Sequence, residues 1–326
     1  MLEFDLIDRL REIIDVPIPP GRGSCPLGIG DDAALLDIPP GQQLVVCCDT
    51  LVAGVHFPED TGAEAVGHKA LAVNLSDLAA MGAEPAWFLL ALTLPEGDRA
   101  WVDPFARGMG RLARSAGIAL VGGDTTSGLL SVTVTAAGVA APGQALRRSG
   151  AKPGDRILLS ASTGLAARAL QQLQSGTEPD PDCLQALDFP APRLKLGRGL
   201  RGLATACIDV SDGLAADLGH ILEQSGTGAR LELERLPVPP CLSGLPEEHR
   251  WALQLSGGDD YELCFTVPAQ RLGEARELGR RLGLELAEIG EITAGAGLQL
   301  VRPEGNEFEL DGAGYCHFSA REQGRH

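Results

Sequence analysis

Strand-like and helix-like segments alternate through both halves of the sequence, and this alternation is the strongest constraint on the fold. In the first half, short apolar runs of strand length lie at residues 44–48, 87–94, 118–121 and 131–140. Helix patterns lie between them at residues 69–85 and 103–116. The second half repeats the order, with strand patterns at 156–160, 205–208 and 263–267 and helix patterns at 164–174, 214–224 and 270–282. Such alternation is typical of α/β domains.

The length predicts two domains. A chain of 326 residues accommodates two domains of about 150 residues each. Proline and glycine interrupt the strand and helix patterns near residues 142–153, which places the boundary there. We therefore expect an N-terminal α/β domain over residues 1–145 and a C-terminal α/β domain over residues 146–326.

The charge balance limits the kinds of partner. The sequence has 27 Lys and Arg against 44 Asp and Glu, a net charge of −17, which argues against a general nucleic-acid-binding protein. No apolar run is long enough to span a membrane. The eight cysteines contain no Cys-x-x-Cys pair, and the six histidines show no metal-binding spacing, so a zinc site is not expected. We expect a reduced, cytoplasmic protein that binds neither nucleic acid nor membranes.

The helix pattern at residues 69–85 carries one acid, Asp77, in a nearly uncharged run. Leu71, Leu75 and Leu78 give the spacing of a buried helix face. A carboxylate beside such residues is costly to bury unless a cation or hydrogen bonds compensate it. Asp77 is therefore either a solvent-facing or capping residue, or a ligand for a cation.

Other acids recur where a strand ends or a glycine turn begins. Each cluster alone is explained by the preference of Asp for turns and helix N-termini. Together they suggest a shared phosphate site with several Mg²⁺ ions, because Mg²⁺ binds carboxylates and completes its shell with water and phosphate oxygens. The acids of this group are Asp31, Asp32, Asp49, Asp77, Asp124, Asp209, Asp212, Asp259, Asp260 and Glu262.

Competing nucleotide motifs are absent or out of context. The sequence contains no G-x-x-x-x-G-K-[ST] phosphate loop. The glycines Gly28 and Gly30 fit a loose dinucleotide fingerprint, but Pro26 stands where the preceding strand would be. Three other side chains remain open to two interpretations. His56 is a packed loop histidine or a ligand contact, and Arg148 and Lys69 are surface charges or phosphate-binding groups.

The sequence resembles the thiamine-monophosphate kinase family, in the superfamily of aminoimidazole ribonucleotide synthetase and selenophosphate synthetase. The resemblance runs in order along nearly the whole chain. The segments that carry it are 28–33, 49–57, 69–85, 122–126, 148–155, 208–213 and 256–265.

This resemblance implies a fold and an activity. The fold is two α/β domains of the aminoimidazole ribonucleotide synthetase type with mixed sheets, and the active site lies in the cleft between them. The N-terminal domain would carry the metal and ATP-phosphate site and form a homodimer, and the C-terminal domain would complete the nucleotide and substrate site. The activity is ATP-dependent phosphorylation of thiamine monophosphate to thiamine diphosphate.

The resemblance also implies roles for individual residues. Asp32, Asp49, Asp77, Asp124, Asp209 and Asp212 would hold several Mg²⁺ ions. ATP would be bound by Gly123, Asp124, Arg148 and Ser211, and the thiamine phosphate by His56 and Glu262. No catalytic base is assigned, because the acceptor is a phosphate with a second pKa near 6 whose oxygen is already deprotonated at neutral pH. We therefore expect direct, in-line, Mg²⁺-assisted transfer.

The sequence departs from the family pattern at three places. Cys47 and Cys48 precede Asp49 where relatives usually carry Ser or Thr, and a neutral thiol is a poor Mg²⁺ ligand. Asp259 stands where Glu is usual. Gly312 falls where relatives often have an aromatic residue, with Tyr315 and Phe318 as substitutes. These departures leave two alternatives: an ATP-using enzyme of the superfamily with another acceptor, or a nucleotide-binding regulatory relative without turnover.

Overall fold

The computed structural model describes residues 3–310, so Gly312, Tyr315 and Phe318 lie outside the described residues. The chain divides into two compact units. Unit 1 comprises the described residues up to Leu146 together with the segment Asp188–Arg201. Unit 2 comprises Arg147–Leu187 and the described residues from Gly202 onward. The predicted C-terminal domain, 146–326, differs from unit 2 in the segment Asp188–Arg201, which packs with unit 1.

The helices and strands alternate as expected, although strands are more numerous than the sequence indicated. In chain order they are α1 (Glu3–Ile13), β1 (Ser24–Leu27), β2 (Leu35–Asp37), β3 (Gln43–Val52), α2 (Ala63–Ala80), β4 (Glu84–Leu94), α3 (Arg99–Ala116), β5 (Ala119–Ser127), β6 (Ser131–Ala140), β7 (Arg156–Leu159), α4 (Leu165–Gln174), α5 (Pro181–Asp188), α6 (Leu194–Gly199), β8 (Ala206–Val210), α7 (Leu214–Ser225), β9 (Gly228–Glu232), α8 (Pro240–Ser243), α9 (Glu247–Ser256), β10 (Glu262–Val267), α10 (Leu272–Leu282), β11 (Ala287–Thr293) and β12 (Gly297–Val301). Within the described residues, no helix is long and apolar enough to cross a membrane.

Unit 1 is built on a four-stranded mixed sheet in the order β3-β6-β4-β5. Strand β6 runs antiparallel to both β3 and β4, and β4 and β5 are parallel. Consequently β3, β4 and β5 all point the same way. Helix α2 packs against β3 and β6, and the β1–β2 pair packs against Trp87 and Ala137 of the sheet.

Helix α2 is buried on nearly all sides, which differs from the expected amphipathic helix with one buried face. It begins at Ala63 and ends at Ala80, so Lys69 lies inside it with 2% exposure and is not a surface charge. The reason is close backbone packing by α3 and α6. A Cβ added at Gly67 would lie 2.0 Å from the carbonyl oxygen of Phe105, and one at Gly197 would lie 1.9 Å from that of Ala79.

The segment Asp188–Arg201 is fastened to unit 1 by polar contacts as well. The Arg201 side chain donates to the carbonyl oxygen of Gly82 (2.6 Å) and pairs with Glu84 (3.4 Å). The ring of His68 on α2 contacts the carbonyl oxygen of Pro190 at 2.8 Å. Residues of the predicted C-terminal domain therefore complete the surroundings of α2.

Unit 2 contains a six-stranded sheet in the order β12-β9-β11-β7-β10-β8. Only the outer pair β9–β12 is parallel within this sheet. Helices α7 and α9 contribute Leu218 and Trp251 to a core shared with the inner faces of the strands. Both units therefore have mixed sheets, which confirms the predicted fold class.

Candidate functional site

Two acids of unit 1 meet where α2 packs on β3. Asp77 lies near the end of α2 and Asp49 lies inside β3, and their carboxyl groups are hydrogen-bonded to each other. Burial raises the pKa of Asp49. Two carboxyl groups in contact cannot both ionise without a compensating charge. A shared proton or a bound cation would relieve the repulsion within this pair.

Cys47 extends the same polar group. Its thiol is hydrogen-bonded to Asp77 and donates to the carbonyl oxygen of Asn74 at 3.3 Å. Burial, followed by the charges of Asp77 and Asp49, raises the pKa of Cys47, so the thiol is neutral. Cys48 points to the opposite face, where its sulfur accepts from the Thr135 hydroxyl at 3.3 Å. The two cysteines face opposite sides because neighbouring residues of a strand alternate.

Asn74 is fully buried one turn before Asp77. Its side-chain nitrogen donates to the carbonyl oxygen of Ala70 at 3.2 Å, and its side-chain oxygen lies 3.7 Å from the Cys47 sulfur. Asn74 therefore contacts the acidic pair through Cys47. It supports the pair from the side of α2.

The sheet register places Gly123 in the row of Asp49. Asp49 pairs with Val134, which pairs with Leu90, which pairs with Gly123. Gly123 has φ +154°, and a Cβ there would lie 1.9 Å from the carbonyl oxygen of Leu90. Glycine is therefore required at this point of β5.

Asp124 and Asp32 are exposed, whereas Asp49 and Asp77 are half-buried. Asp124 falls one row farther along β5, in the row of Thr50. Because neighbouring rows face opposite sides of a sheet, the register alone does not bring Asp124 to Asp49. Asp32 lies in the loop before β2, and its N–H donates to the Asp31 carboxylate at 2.8 Å.

A hydrogen bond links His56 and Lys69 beside the end of β3. The Val52 N–H donates to Nδ1 of His56 at 3.0 Å, which fixes the imidazole ring. The buried Lys69 ammonium donates to the backbone carbonyl of His56 at 3.5 Å. Lys69 also interacts electrostatically with Asp188. Burial raises the pKa of Asp188, and the positive charge of Lys69 opposes part of that rise. His56 is therefore anchored through both its ring and its backbone.

In unit 2, Asp209 is the penultimate residue of β8 and Asp212 lies in the loop to α7. This loop is held by a third acid, Asp217. One carboxylate oxygen of Asp217 accepts the backbone N–H groups of Ser211 (3.0 Å), Asp212 (3.1 Å) and Gly213 (3.2 Å). Burial, then the charge of Asp209, raises the pKa of Asp217 to about 7. Asp217 therefore fixes the loop on which Ser211 and Asp212 lie.

The loop before β10 is hydrogen-bonded to the end of β8 and to the loop that follows it. The N–H of Asp259 donates to the carbonyl oxygen of Ser211 (2.9 Å), and that of Tyr261 to the carbonyl oxygen of Val210 (2.8 Å). Asp259 and Tyr261 have φ of 68° and 52°, an uncommon conformation for residues other than glycine. Between them, the buried carboxylate of Asp260 accepts the N–H of Gly164 (2.8 Å) at the start of α4. Strain in this loop is offset by these bonds.

Glu262 is buried at the start of β10 and is hydrogen-bonded to the Ser160 hydroxyl. The Ser160 oxygen also accepts the N–H of Leu263 at 2.8 Å. Arg148 is exposed, and its carbonyl oxygen accepts from the Ser225 hydroxyl at 3.4 Å. The predicted substrate residue Glu262 is therefore rigidly held, whereas the guanidinium of Arg148 lies at the surface.

Comparison with known proteins identifies the family. Residues 30–140 match the AIR synthase related protein N-terminal domain, and residues 152–302 match the corresponding C-terminal domain. A thiamine-monophosphate kinase of Escherichia coli O157:H7 is 46% identical over 97% of this chain and 98% of its own length. The chain belongs to the thiamine-monophosphate kinase family.

Solved structures agree with this family. The thiamine-monophosphate kinase of Stenotrophomonas maltophilia K279a has 46% sequence identity and a TM-score of 0.84, covering 92% of this chain and 96% of that one. A structure described as AaThiL complexed with AMPPCP and TMP has 28% identity and a TM-score of 0.75, covering 97% of each chain. The resemblance inferred from the sequence is confirmed.

The sequence did not indicate the roles that three residues have in the structure. Asp217 had a usable signal, since an acid in the first turn of a helix often accepts backbone N–H groups. Asp260 was grouped with the acid clusters, but it is bonded to the start of α4 instead of facing solvent. Ser160 had no signal, because only the pairing of β7 with β10 brings it to Glu262.

Replacing Asp217 with Ala should loosen the loop that follows β8. Three backbone N–H groups would lose their acceptor, and each buried unsatisfied group costs about 1–3 kcal/mol. We expect a lower free energy of unfolding and faster hydrogen exchange at the amides of Ser211, Asp212 and Gly213, measured by NMR.

Asp217→Asn is the conservative control, because its side-chain oxygen can still accept, and it should retain most of the protection. Equal exchange rates in wild type and Asp217→Ala would show that Asp217 does not hold the loop.

Proposed function

We propose that this member of the family is an ATP-dependent kinase that converts thiamine monophosphate to thiamine diphosphate. The reaction is a phosphotransfer with a phosphate group as acceptor and ATP as co-substrate. The observation that carries the proposal is similarity over nearly the full length to thiamine-monophosphate kinases, at 46% identity to the protein of E. coli O157:H7. AaThiL, which is similar over 97% of this chain, was found with AMPPCP and TMP, a donor analogue and the acceptor of this reaction.

The half-buried acid pair of unit 1 fits a divalent cation. Asp49 and Asp77 are hydrogen-bonded to each other in a setting where burial disfavours ionisation, and a divalent cation would allow both to ionise. Carboxylate oxygens are the ligands that Mg²⁺ prefers. The proposed ligands are Asp32, Asp49, Asp77 and Asp124 in unit 1 and Asp209 and Asp212 in unit 2. When bound, Mg²⁺ would neutralise phosphate charge and align donor and acceptor.

The remaining site residues would bind and orient the two phosphates. Gly123 in β5 has no side chain, so its backbone is accessible to the nucleotide. Ser211 and Arg148 of unit 2 would also bind the nucleotide. His56, with its ring fixed by Val52, and Glu262, fixed by Ser160, would contact the thiamine phosphate. No side chain is required to remove a proton, since the acceptor phosphate is largely ionised at neutral pH. Transfer is therefore direct.

Thiamine monophosphate, ATP and Mg²⁺ supplied to the protein should yield thiamine diphosphate and ADP in equal amounts. Chromatographic separation of the thiamine phosphates measures the first product, and a coupled assay measures the second. Chelation of the divalent cation with EDTA should stop both.

ATP binding without formation of thiamine diphosphate would contradict the proposal and favour another acceptor or a regulatory role. Direct transfer has its own test, since a chiral phosphate donor should give inversion at the transferred phosphorus. Net retention would indicate a phosphoenzyme.

Asp77→Asn should separate activity from stability. The amide removes a titratable group from the pair and can still donate a hydrogen bond to Asp49, so the melting temperature in EDTA should stay unchanged or rise. Loss of a direct metal ligand should lower turnover by about 100-fold or more, since even supporting contacts of metal ligands are worth about 10–100-fold. Both quantities are measured on the same preparation.

Asp60→Asn, an exposed acid of the same unit, is the matched control and should change neither quantity. Parallel losses of melting temperature and turnover in Asp77→Asn would instead identify Asp77 as a structural residue.

We also propose that the protein is a cytoplasmic homodimer joined through the exposed part of one face of the four-stranded sheet, beside the β1–β2 pair that packs on the same face. Val46 is 56% exposed, and Leu44 (40%) and Leu89 (41%) are exposed as well. These three side chains share a face, because Leu89 lies in the row of Cys48 and Thr135. An exposed apolar sheet face of this kind is typical of an interface. The cytoplasmic setting rests on the cysteine pattern of the sequence.

A charged residue in the centre of this face should disrupt the dimer. Val46→Lys would place an ammonium group in the apolar contact, so sedimentation velocity should show monomers where the wild type shows dimers. Leu129→Lys changes an apolar residue that is 87% exposed in the turn between β5 and β6 and should remain dimeric. A monomeric wild type, or a dimeric Val46→Lys variant, would rule out this interface.

A further inference from the structure

A second cluster of metal-ligating side chains lies in unit 2, apart from the acids of the kinase site. It consists of Asp180, Cys183 and Cys241. One carboxylate oxygen and the two sulfur atoms all lie within 4.8 Å of one another. Two sulfurs and one oxygen form a donor set that differs in kind from the all-carboxylate groups described above.

Asp180 is held in place by its role at the start of α5. Its side-chain Oδ1 accepts the N–H of Asp182 at 3.0 Å, and its carbonyl oxygen accepts the N–H of Leu184 at 2.9 Å. Its own N–H donates to the side chain of Gln172 on α4 at 3.2 Å. The capping bond uses Oδ1, which leaves the second carboxylate oxygen available for another contact.

The two thiols come from different helices. Cys183 lies in the first turn of α5, fully buried against Ala166 and Ala169 of α4. Cys241 is half-buried in the short helix α8 and packs on the same cluster. The thiols of Cys183 and Cys241 are hydrogen-bonded to each other. Helices α4, α5 and α8 therefore converge on one pair of sulfur atoms.

A positive charge lies close to this pair. The Arg168 guanidinium interacts electrostatically with the Cys183 thiol. The Nη1 atom of Arg168 donates to Gln171 at 2.8 Å, whereas its buried Nε has no hydrogen-bond partner among the described residues. Two thiolates and one carboxylate would be balanced in charge by a divalent cation together with Arg168.

We propose that Asp180, Cys183 and Cys241 form a binding site for a thiophilic divalent cation such as Zn²⁺, with water as the fourth ligand. Tetrahedral Zn²⁺ with bonds of about 2.0–2.3 Å separates its ligand atoms by about 3.3–3.8 Å. The observed limit of 4.8 Å exceeds this by only about 1 Å, a distance that side-chain rotation covers. Zn²⁺ displaces the thiol protons on binding.

This site is independent of the proposed kinase reaction. Mg²⁺ prefers oxygen ligands and binds thiolates poorly, so it does not compete for the two cysteines. Conversely, the sulfur ligands select Zn²⁺ and related ions over Mg²⁺. A bound ion would join α5 to α8 and so stabilise this part of unit 2, because a ligand that binds only the folded state raises its stability.

Co²⁺ titration of the full-length protein tests the site directly. Excess Mg²⁺ is present to occupy the oxygen sites, and a reductant that does not bind metal keeps the thiols reduced. We expect one equivalent of Co²⁺ to produce thiolate-to-cobalt charge-transfer absorption, and Zn²⁺ to abolish it by displacement. Zn²⁺ should also raise the melting temperature of the wild type.

The variants assign the absorption to these residues. Cys183→Ser and Cys241→Ser should each weaken or remove it, and Asp180→Asn should retain it while lowering Co²⁺ affinity by about 10-fold or more. Cys48→Ser, which removes an exposed thiol of unit 1, should leave the absorption unchanged. Cys241→Ser should leave kinase activity in Mg²⁺ unchanged.

The absence of charge-transfer absorption in the wild type would overturn the proposal, as would an unaltered band in Cys241→Ser. Loss of the band in Cys48→Ser would place the ion elsewhere and overturn it too. If Cys183→Ser folds poorly, the half-buried Cys241 decides the outcome, with circular dichroism as the check of its fold.

Discussion

The contact between the carboxyl groups of Asp49 and Asp77 constrains how α2 packs on β3 in unit 1. Holding two half-buried carboxylates side by side is unfavourable unless they share a proton or a cation. The surrounding structure must therefore hold them together. Helix α2 supplies that rigidity, because α3 packs against its backbone at Gly67, and Gly197 of α6 packs against its backbone at Ala79. Neither glycine has room for a side chain. Packing within the protein thus holds the pair in place, as its proposed role in phosphate transfer would require.

Unit 2 reaches a comparable rigidity by another route. Here Asp209 lies in β8, whereas Asp212 and Asp259 lie on loops that are fixed by hydrogen bonds to backbone groups. Asp217 fixes the loop of Ser211 and Asp212, and the loop of Asp259 is bonded to the same segment. The uncommon backbone conformations at Asp259 and Tyr261 persist because these bonds over-determine the loop. Asp217, which lies outside the predicted ligand set, thus fixes the loop that carries the predicted ligands Ser211 and Asp212.

The sequence predicted the fold class and most elements correctly because apolar periodicity is a local property. It placed β6 and α7 within a residue of their observed bounds. It ended β3, β5 and β8 too early, since Asp49, Asp124 and Asp209 were taken as residues that follow a strand. These acids remain in strands because neighbouring strands continue to pair with them, and pairing of distant segments is not a local property. The full burial of α2 and the meeting of Cys183 with Cys241 were missed for the same reason.

The segment Asp188–Arg201 has a consequence for the order in which the chain can fold. Because this segment belongs to unit 1, the chain passes from one unit to the other three times, after Leu146, Leu187 and Arg201. During synthesis, unit 1 stays incomplete until residue 201 has left the ribosome, although its own sheet is finished by Ala140. Until then the end of α2 lacks α6, its partner at Gly197. The helix that carries Asp77 is therefore completed late, by a part of the chain made after the first elements of unit 2.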